Sequence, residues 1–347
     1  MPKNSITYIT PGLYPLIKGG AEKQSSIIVK GLLEKGFKVE VLTLHSRIAE
    51  KKKNHVKFLG FGNRKTLLIS AIIHFMLLKK QRTLVFSQLN LFTFCCIALS
   101  INKKILLRLS NSGNQFDIDR LFNRRLSLLK KLVLSKVANF ISINAQISEQ
   151  LKSWGFKNTI RINNTIEQFE YNIQGIPSLI MISRFKKHKN FSFLPVLSEK
   201  LNHRYPIHIF GNHTEEYDEI VHELKNSKSI IIEESYEEIR IPFENKLPIL
   251  IHPSFEEGTS NSILEALSFG IPVIANDIDA NKIFGMNGEN GVFLYSTSEP
   301  TQWANSILKL FSNNKFYSEI ADNAKSYIEG NHKMDQIINQ WVKVISK

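Results

Sequence analysis

The chain has 347 residues, of which 43% are hydrophobic and 10% aromatic. This composition supplies enough apolar surface for large cores, which excludes a wholly disordered protein, and the length suits two domains. The two cysteines, Cys95 and Cys96, are adjacent, so they cannot join distant segments, and without other Cys or a nearby His pair they indicate no zinc site. This cysteine content fits a reduced compartment.

The formal net charge of +14 is unevenly distributed along the chain. Residues 1–175 contain 28 Lys and Arg against 9 Asp and Glu, a net charge of +19, whereas residues 176–347 contain 17 against 22, a net charge of −5. This contrast indicates two units with different partners. The basic half could face anionic lipid head groups, a pyrophosphate-bearing substrate or nucleic acid.

The most apolar stretches are not expected to cross a membrane. Residues 66–78 are fewer than the roughly 20 that a spanning helix needs, and residues 83–101 are interrupted by polar side chains such as Ser87 and Asn90. No apolar stretch of signal-peptide length precedes Pro11. We therefore expect a cytoplasmic protein.

The first 44 residues predict a βαβ unit. A strand over residues 5–9 precedes a loop containing Gly19 and Gly20, followed by a helix over residues 21–35 and a second strand over residues 38–44. Glycines just before a helix let the backbone approach a ligand closely, but the same pair also fits a plain turn. Both interpretations remain open.

A polar loop follows the strand predicted for residues 105–109. It contains Ser110, Asn111 and Asn114, at the carboxyl end of a strand, where open α/β sheets bind their ligands. These three residues are candidates for contacts with an acceptor substrate. The alternative is an ordinary solvent-exposed loop.

Residues 120–136 predict one basic amphipathic helix, in which Arg124, Arg125, Lys130 and Lys131 accompany Leu and Phe. Two interpretations are open. The helix can belong to the domain and turn a charged outer face to solvent, or it can rest on an anionic membrane, where each basic residue adds roughly 1 kcal/mol.

A polar passage over residues 161–177 separates two segments of similar strand–helix style. We place the domains at residues 1–172 and 173–328, and we expect a C-terminal helix within residues 329–347 to pack back toward the first domain. In the second domain, Arg184 and Lys189 lie between the end of a predicted strand and the start of a helix. Cations at such a place can bind a phosphate together with backbone N–H groups.

The most informative stretch runs over residues 249–277 and predicts a buried strand, a small-residue loop, a short helix and a second strand. A loop that leads into a helix N-terminus presents free N–H groups to an anion. Glu257 and Glu265, eight positions apart across this loop and helix, can accept hydrogen bonds from sugar hydroxyls. The combination is typical of a nucleotide-sugar site.

These motifs, in this order, resemble the retaining glycosyltransferases of family 4. The signature is a Glu, seven residues and a second Glu, here Glu257 to Glu265; it is supported by Gly19-Gly20-Ala21-Glu22, by RINNTIEQF at residues 161–169 and by ISRFKKHKN. The resemblance covers essentially the whole chain. It implies an α/β protein of the GT-B fold, with two Rossmann-like domains facing across a cleft.

The resemblance also implies roles for individual residues. Glu257 would bind the hydroxyls of the donor sugar, Glu265 would bind the ribose hydroxyls, and Arg184 and Lys189 would neutralise the departing diphosphate. The predicted catalytic residues are therefore Arg184, Lys189 and Glu257. The predicted donor-binding residues are Gly19, Gly20, Gly211, Gly258, Thr259, Ser260, Asn261 and Glu265.

The chain departs from the family pattern at three places. Residues 109–111 lack the His that members often carry, so we name no catalytic His; the glycine-rich turn after Phe210 keeps only Gly211; and IDANKIF replaces the usual small-residue turn and Glu after Asp277. These departures affect the acceptor contacts and the nucleotide-base pocket more than the core assignment.

The resulting hypothesis is a metal-independent, retaining hexosyltransferase that uses a UDP- or GDP-sugar as co-substrate and needs no cofactor. Its acceptor would be a glycan or lipid-linked intermediate of bacterial surface polysaccharide, such as lipopolysaccharide O-antigen or capsule, with peripheral contact at the inner face of the plasma membrane. The alternatives are a sugar-nucleotide epimerase of similar fold, a basic nucleic-acid-binding protein and an inactive scaffold. The basic residues accompany Leu and Phe and form no recognisable nucleic-acid motif, so we expect no nucleic-acid partner.

Overall fold

A computed structural model describes residues 5–14, 19–43, 56–58, 83–100, 103–112, 116–121, 126–167, 174–211, 215–233 and 241–347. The chain divides into two compact units: Met1–Thr165 with Met334–Lys347 (unit 1), and Ile166–Lys333 (unit 2). The predicted boundary between residues 172 and 173 lies outside the described residues. The structure changes unit at Thr165, and again at Lys333 rather than at residue 328.

Among its described residues, unit 1 contains a parallel sheet of seven strands in the order β3-β2-β1-β4-β5-β6-β7. The strands are β1 (Ser5–Thr10), β2 (Lys38–Thr43), β3 (Val56–Phe58), β4 (Thr83–Phe86), β5 (Ile105–Leu109), β6 (Asn139–Ser142) and β7 (Thr159–Arg161). The side chains of β5 illustrate why the strands are continuously apolar. Leu107 and Leu109 enter one buried cluster and Leu106 the other, so both faces of the sheet are covered.

The described helices of unit 1 that precede unit 2 are α1 (Gly20–Glu34), α2 (Leu91–Leu99), α3 (Asp117–Arg120), α4 (Ser127–Leu134) and α5 (Ala145–Ser153). Two of these helices have a polar N-cap residue. The Asn90 side chain accepts from the Thr93 N–H and the Thr93 hydroxyl from the Asn90 N–H, which forms a capping box at α2. Asn144 accepts from the Ile147 N–H at the start of α5.

Unit 2 contains, in the part described, a parallel sheet of six strands in the order β10-β9-β8-β11-β12-β13. The strands are β8 (Ile176–Ile182), β9 (Ile207–Phe210), β10 (Ile230–Glu233), β11 (Lys246–His252), β12 (Val273–Asn276) and β13 (Val292–Tyr295). Its described helices are α6 (Phe193–Lys200), α7 (Asp218–Lys225), α8 (Asn261–Ser268), α9 (Asp279–Lys282), α10 (Pro300–Ser312) and α11 (Asn314–Asn331). As in unit 1, the strands alternate between two cores: Ile249 and Ile251 enter one, and Leu250 the other.

The last helix, α12 (Met334–Ser346), belongs to unit 1 and packs on α1. Ile338 fills the space beside Gly31 so closely that a Cβ on Gly31 would lie 2.5 Å from Ile338 Cγ1. The Lys104 ammonium donates to the carbonyls of Val344 (2.7 Å) and Ile345 (2.9 Å), which satisfies carbonyl groups that the helix end leaves free.

In each sheet the order of the strands along the chain changes direction once, between β1 and β4 in unit 1 and between β8 and β11 in unit 2. From these two central strands the chain continues toward opposite edges of the sheet. In open α/β sheets, ligands bind in the crevice at the carboxyl ends of those two strands. A ligand site in unit 2 is therefore expected at the residues that follow β8 and β11.

The prediction of one continuous helix over residues 120–136 is wrong. Helix α3 ends at Arg120 and α4 begins at Ser127, while Leu126 has a left-handed backbone (φ 55°) that a right-handed helix cannot contain. Residues 122–125, with Arg124 and Arg125, lie outside the described part. Lys130, expected on the charged outer face, is buried and donates to the Ile118 carbonyl at 3.1 Å.

Of the two most apolar stretches, residues 66–78 lie outside the described residues, and residues 83–100 fold as β4, a polar turn and α2. In the described part of the chain, every helix is too short or too polar to cross a membrane.

Candidate nucleotide-sugar site

The loop after β8 carries two of the predicted catalytic residues. It ends in a 3-10 turn, Lys187–Lys189, which Asn190 terminates with a left-handed backbone (φ 56°). Phe185 and Phe191 hold the two ends of the loop together, with parallel rings 4.3 Å apart. The Arg184 side chain is exposed and has no hydrogen bond or ion pair with the described residues, so it is open to a ligand.

The loop after β11 lies against the loop after β8. The Phe255 N–H donates to the His188 carbonyl at 2.8 Å, and Asn276, at the end of β12, donates to the Ser254 carbonyl at 3.1 Å. These two bonds connect the carboxyl ends of three neighbouring strands. They bring Glu257 beside Lys189, as the parallel sheet predicts for side chains that follow adjacent strands.

Glu257 and Lys189 form an ion pair between the Nζ of Lys189 and the Oε1 of Glu257. Both side chains are mostly withdrawn from solvent, with exposed fractions of 17% for Lys189 and 12% for Glu257. The predicted ligand of the diphosphate and the predicted ligand of the sugar are therefore direct partners. The described residues make no hydrogen bond or ion pair to the second oxygen, Oε2.

His252 is a third member of this group, and the sequence interpretation gave it no role. It is the last residue of β11 and is buried, with its Nε2 3.1 Å from Glu257 Oε1 and 3.0 Å from Ser260 Oγ. Its other nitrogen, Nδ1, is buried without a hydrogen-bond partner among the described residues. The signal in the sequence that could have indicated a role for His252 is its position as a polar residue at the end of a largely apolar strand.

The electrostatics of the group keep Glu257 ionised. Burial by itself would raise the pKa of Glu257, but the charge of Lys189 and the hydrogen bond with His252 outweigh it, so the pKa lies well below its usual range. The same surroundings act on His188, where burial and then the charge of Lys189 lower the pKa of the imidazole. A fixed carboxylate is a hydrogen-bond acceptor only, which suits sugar hydroxyls.

The remaining donor-site predictions of unit 2 surround the start of α8. Ser260 is the N-cap and Asn261 the first residue of the helix, as the sequence predicts for a loop that leads into a helix. Glu265 lies in α8 and is buried. The Thr259 hydroxyl is buried with no partner among the described residues, and a ligand could satisfy it.

Gly211 follows β9, and its backbone touches the loop after β8. A Cβ at this position would lie 1.8 Å from the Ser183 carbonyl oxygen, so the neighbouring backbone alone requires glycine here. Its predicted contact with a donor stays a prediction.

The predicted site residues of unit 1 lie at the carboxyl ends of β1 and β5. Gly19 is the N-cap of α1 and has an extended backbone. Ser110 and Asn111 follow β5, and both backbone N–H groups donate to the Asp117 carboxylate, which also accepts from the Asn111 side chain at 2.6 Å. The Asn111 amide is thus engaged within the unit. Asn114 lies outside the described residues.

The Asp117 carboxylate and the Arg108 guanidinium are two buried groups near this loop that the sequence interpretation missed. Burial raises the pKa of Asp117, although the hydrogen bonds from Asn111 and Ser110 oppose it. Arg108 donates to the Asn164 side chain at 2.6 Å and to the Ser87 carbonyl at 3.3 Å. Both groups fix the loops at the carboxyl edge of the sheet.

Two Asp-x-Asp sequences, which often bind a metal diphosphate, occur at residues 117–119 and 277–279. Asp119 accepts from the indole N–H of Trp154 at 3.0 Å, and Lys282 lies 3.5 Å from Asp277 and 3.2 Å from Asp279. In the described ranges, no three His, Cys, Asp or Glu side chains gather in a metal-binding group. Metal independence stays a prediction for experiment.

Comparisons with known proteins address the part of the chain that holds this group. Residues 163–327 match the family described as "Glycosyl transferases group 1". An uncharacterized glycosyltransferase of Methanocaldococcus jannaschii is 27% identical over 90 residues, which are 26% of this chain and 23% of that protein. The match thus spans less than a quarter of that curated relative.

Solved structures resemble the fold over a larger part of the chain. The crystal structure of Anabaena Alr3699/HepE in complex with UDP and glucose has a TM-score of 0.77 at 14% identity, with 99% of each chain covered. That of TarM, from S. aureus, has a TM-score of 0.68 at 17% identity and covers 81% of this chain and 58% of TarM. Residues 163–327 therefore resemble the glycosyl transferases group 1 family, and the chain has the GT-B fold.

Proposed function

We propose that the chain is a retaining glycosyltransferase of the family 4 type, which moves a hexosyl unit from a UDP- or GDP-sugar to a glycan acceptor without a metal ion or cofactor. One observation carries the proposal. At the switch point of the unit 2 sheet, Lys189 and His252 hold Glu257 ionised in the loop that leads into α8, and the exposed cation Arg184 lies in the neighbouring loop after β8.

Arg184 and Lys189 would act on the leaving group. Cleavage of the glycosyl–phosphate bond leaves negative charge on the departing diphosphate oxygen, and fixed cations stabilise that charge more in the transition state than in the ground state. Removal of one such contact costs about 2–4 kcal/mol in the barrier. Lys189 is held beside the site by Glu257 before any donor arrives.

Glu257 and Glu265 would bind the donor rather than transfer protons. Glu257 presents Oε2 to the sugar hydroxyls, and Glu265 binds the ribose hydroxyls. Backbone N–H groups over residues 258–261 hold the sugar or phosphate. A carboxylate whose pKa is far below its usual range is a poor general base, since it has little affinity for a proton. Glu257 is therefore not proposed as a general acid–base catalyst, and Glu265 is assigned to ribose binding rather than to proton transfer.

The proposed donor is a nucleotide-sugar because the crystal structure of the Anabaena protein holds UDP and glucose. The proposed acceptor is a lipid-linked intermediate of bacterial surface polysaccharide, lipopolysaccharide O-antigen or capsule, at the inner face of the plasma membrane. Its support is the net charge of +19 over residues 1–175, which suits an anionic pyrophosphate carrier and anionic lipids.

A panel of nucleotides and nucleotide-sugars tests the proposal by the rise in melting temperature and then by sugar transfer. Stabilisation by UDP- or GDP-sugars, followed by transfer with retained anomeric configuration, would support it. Conversion of the sugar in the presence of the donor alone would favour an epimerase instead. Absence of stabilisation by every nucleotide would refute the site.

A further inference from the structure

Helix α4 has an unusual distribution of side chains. It buries Lys130 with Val133 and Leu134, while Leu128 and Leu132, one helical turn apart, are 82% and 67% exposed. Leu126 and Leu129 are also exposed. An ordinary surface helix does the opposite, because its apolar stripe faces the core. We call the four residues Leu126, Leu128, Leu129 and Leu132 the leucine face.

Exposed basic residues lie in the same segment as the leucine face. Lys131 and Lys136 of the same segment are exposed, and the Lys136 ammonium donates to the Ala98 carbonyl at 2.6 Å, where α2 ends beside α4. From Arg120 to Ser148 the sequence contains six basic residues and no acidic residue. Asp119, just before this stretch, is bonded to the Trp154 indole.

A pocket of about 350 Å³ opens next to the leucine face. Leu128, Lys131 and Trp154 line it together with Ser127 and Ser153. The pocket thus combines a cation, two hydroxyls and an aromatic ring, which are the groups that settle at the boundary between lipid tails and head groups. An anionic head group fits its chemistry.

We propose that the leucine face docks on an anionic lipid bilayer, with the leucines among the acyl chains and Lys131 at the level of the head groups. A docking partner must be both apolar and anionic to match exposed leucines and the exposed cations Lys131 and Lys136 of the same segment, and an anionic bilayer meets both requirements. The docking thus depends on exposed leucines, not on the basic outer face expected from the sequence. It is independent of the transferase proposal, because it needs no donor.

Vesicle co-sedimentation of the full chain tests this docking. The wild type should bind vesicles of phosphatidylcholine with phosphatidylglycerol more strongly than pure phosphatidylcholine vesicles. The double variant Leu128→Asp/Leu132→Asp should bind at least tenfold more weakly, with an unchanged melting temperature because both side chains are exposed. Ile176→Asp is the matched control, since Ile176 is 68% exposed but lies in unit 2.

Tryptophan fluorescence gives a second readout. Trp303 and Trp341 are buried, whereas Trp154 is partly exposed beside the leucine face, so vesicles should shift its emission to the blue and Trp154→Phe should remove the shift. Equal vesicle binding by the double variant would overturn the proposal. So would absence of wild-type binding, or self-association that depends on the leucines and occurs without lipid, which would indicate a protein partner.

The buried His252 supports a second, independent inference. Its Nε2 contacts Glu257 Oε1, the same oxygen that Lys189 holds, and leaves Oε2 without a contact from the described residues. Because Nδ1 is buried without an acceptor among the described residues, a proton there would have no hydrogen-bond partner; the proton therefore belongs on Nε2, which donates to Glu257. We infer that His252 is a positioning residue that fixes the carboxylate so that Oε2 faces the sugar.

Paired substitutions test His252. His252→Leu removes the donor, whereas His252→Gln can place an amide N–H near the position of Nε2. On the proposed function, His252→Leu should lower kcat/KM by at least tenfold with unchanged affinity for the free nucleotide, and His252→Gln should recover most of the loss. Wild-type transfer by His252→Leu, or no recovery by a folded His252→Gln, would overturn the inference.

A measurement without substrate separates this inference from the proposed function. Lys189 and His188 face Glu257 from the loop after β8, and His252 faces it from β11. Loss of His252 should therefore weaken, but not abolish, the fall in stability of the free protein on acidification, and His252→Gln should restore it. An unchanged acid profile in His252→Leu would refute the contact even if the wild type transferred no sugar.

Discussion

The ion pair between Lys189 and Glu257 can be broken from one side. Lys189→Met keeps the apolar stem and removes the charge, so Glu257, only 12% exposed, retains His252 as its partner among the described residues. Removing one member of a buried pair costs about 3–5 kcal/mol. Because His252 stays and some water reaches the pair, we expect a loss of about 2–3 kcal/mol in the free energy of unfolding.

The assay is thermal and chemical unfolding of the free protein at neutral pH. In a unit of this size, each kcal/mol corresponds to about 2–4 °C in Tm, so the variant should melt roughly 5–10 °C lower. The double variant Lys189→Met/Glu257→Gln should recover part of the loss, because it leaves no unpaired buried charge, with a coupling of about 1 kcal/mol or more. Lys187→Met is the control, since Lys187 belongs to the same turn and is exposed. Equal melting of Lys189→Met and Lys187→Met would refute the pairing.

Four further predictions concern the same site and its frame. The pKa of Glu257 is lower in the folded protein than its ordinary value of 4.5, so the ionised carboxylate stabilises the fold fully above that pH, and this contribution is lost as the pH falls below it. Glu257→Gln should therefore weaken the dependence of the free energy of unfolding on pH in this acidic range. Glu265→Ala and Arg184→Ala should each lower sugar transfer at least tenfold without unfolding, and wild-type rates in both would overturn the site assignment. Transfer should persist in EDTA, whereas its complete loss, restored by a divalent cation, would argue for a metal. Gly211→Ala should lower Tm clearly, because its Cβ meets the Ser183 carbonyl; an unchanged Tm would mean that this loop relaxes easily.

The sequence could predict that Lys189 and Glu257 lie at the same edge of a sheet. Each follows an apolar strand, and the carboxyl ends of parallel strands share an edge. It could not predict that the two side chains pair with each other, or that His252 joins them, because these contacts depend on the packing of two loops. The periodicity of a strand carries no information about loop–loop contacts.

The orientation of α4 was unpredictable for a different reason. The periodicity of SLLKKLVL places Leu128, Leu129, Leu132 and Val133 on one face and so favours burial of that face, yet of these four only Val133 is buried. Packing resolved the choice by burying Lys130 against the Ile118 carbonyl. The unit boundary has a similar origin: Ile166 pairs with Lys333, which places both in unit 2.

The position of α12 affects how the chain can fold during synthesis. Helix α1 is made before unit 2 and α12 after it, and the ion pair between Lys35, the C-cap of α1, and Asp335 of α12 joins residues 300 positions apart. Unit 2 is one continuous segment and can fold as soon as it leaves the ribosome. Unit 1 acquires its contacts between α1 and α12 only afterwards, so a released chain that ends at Lys333 should hold a protease-resistant unit 2 and an α1 that still lacks its cover.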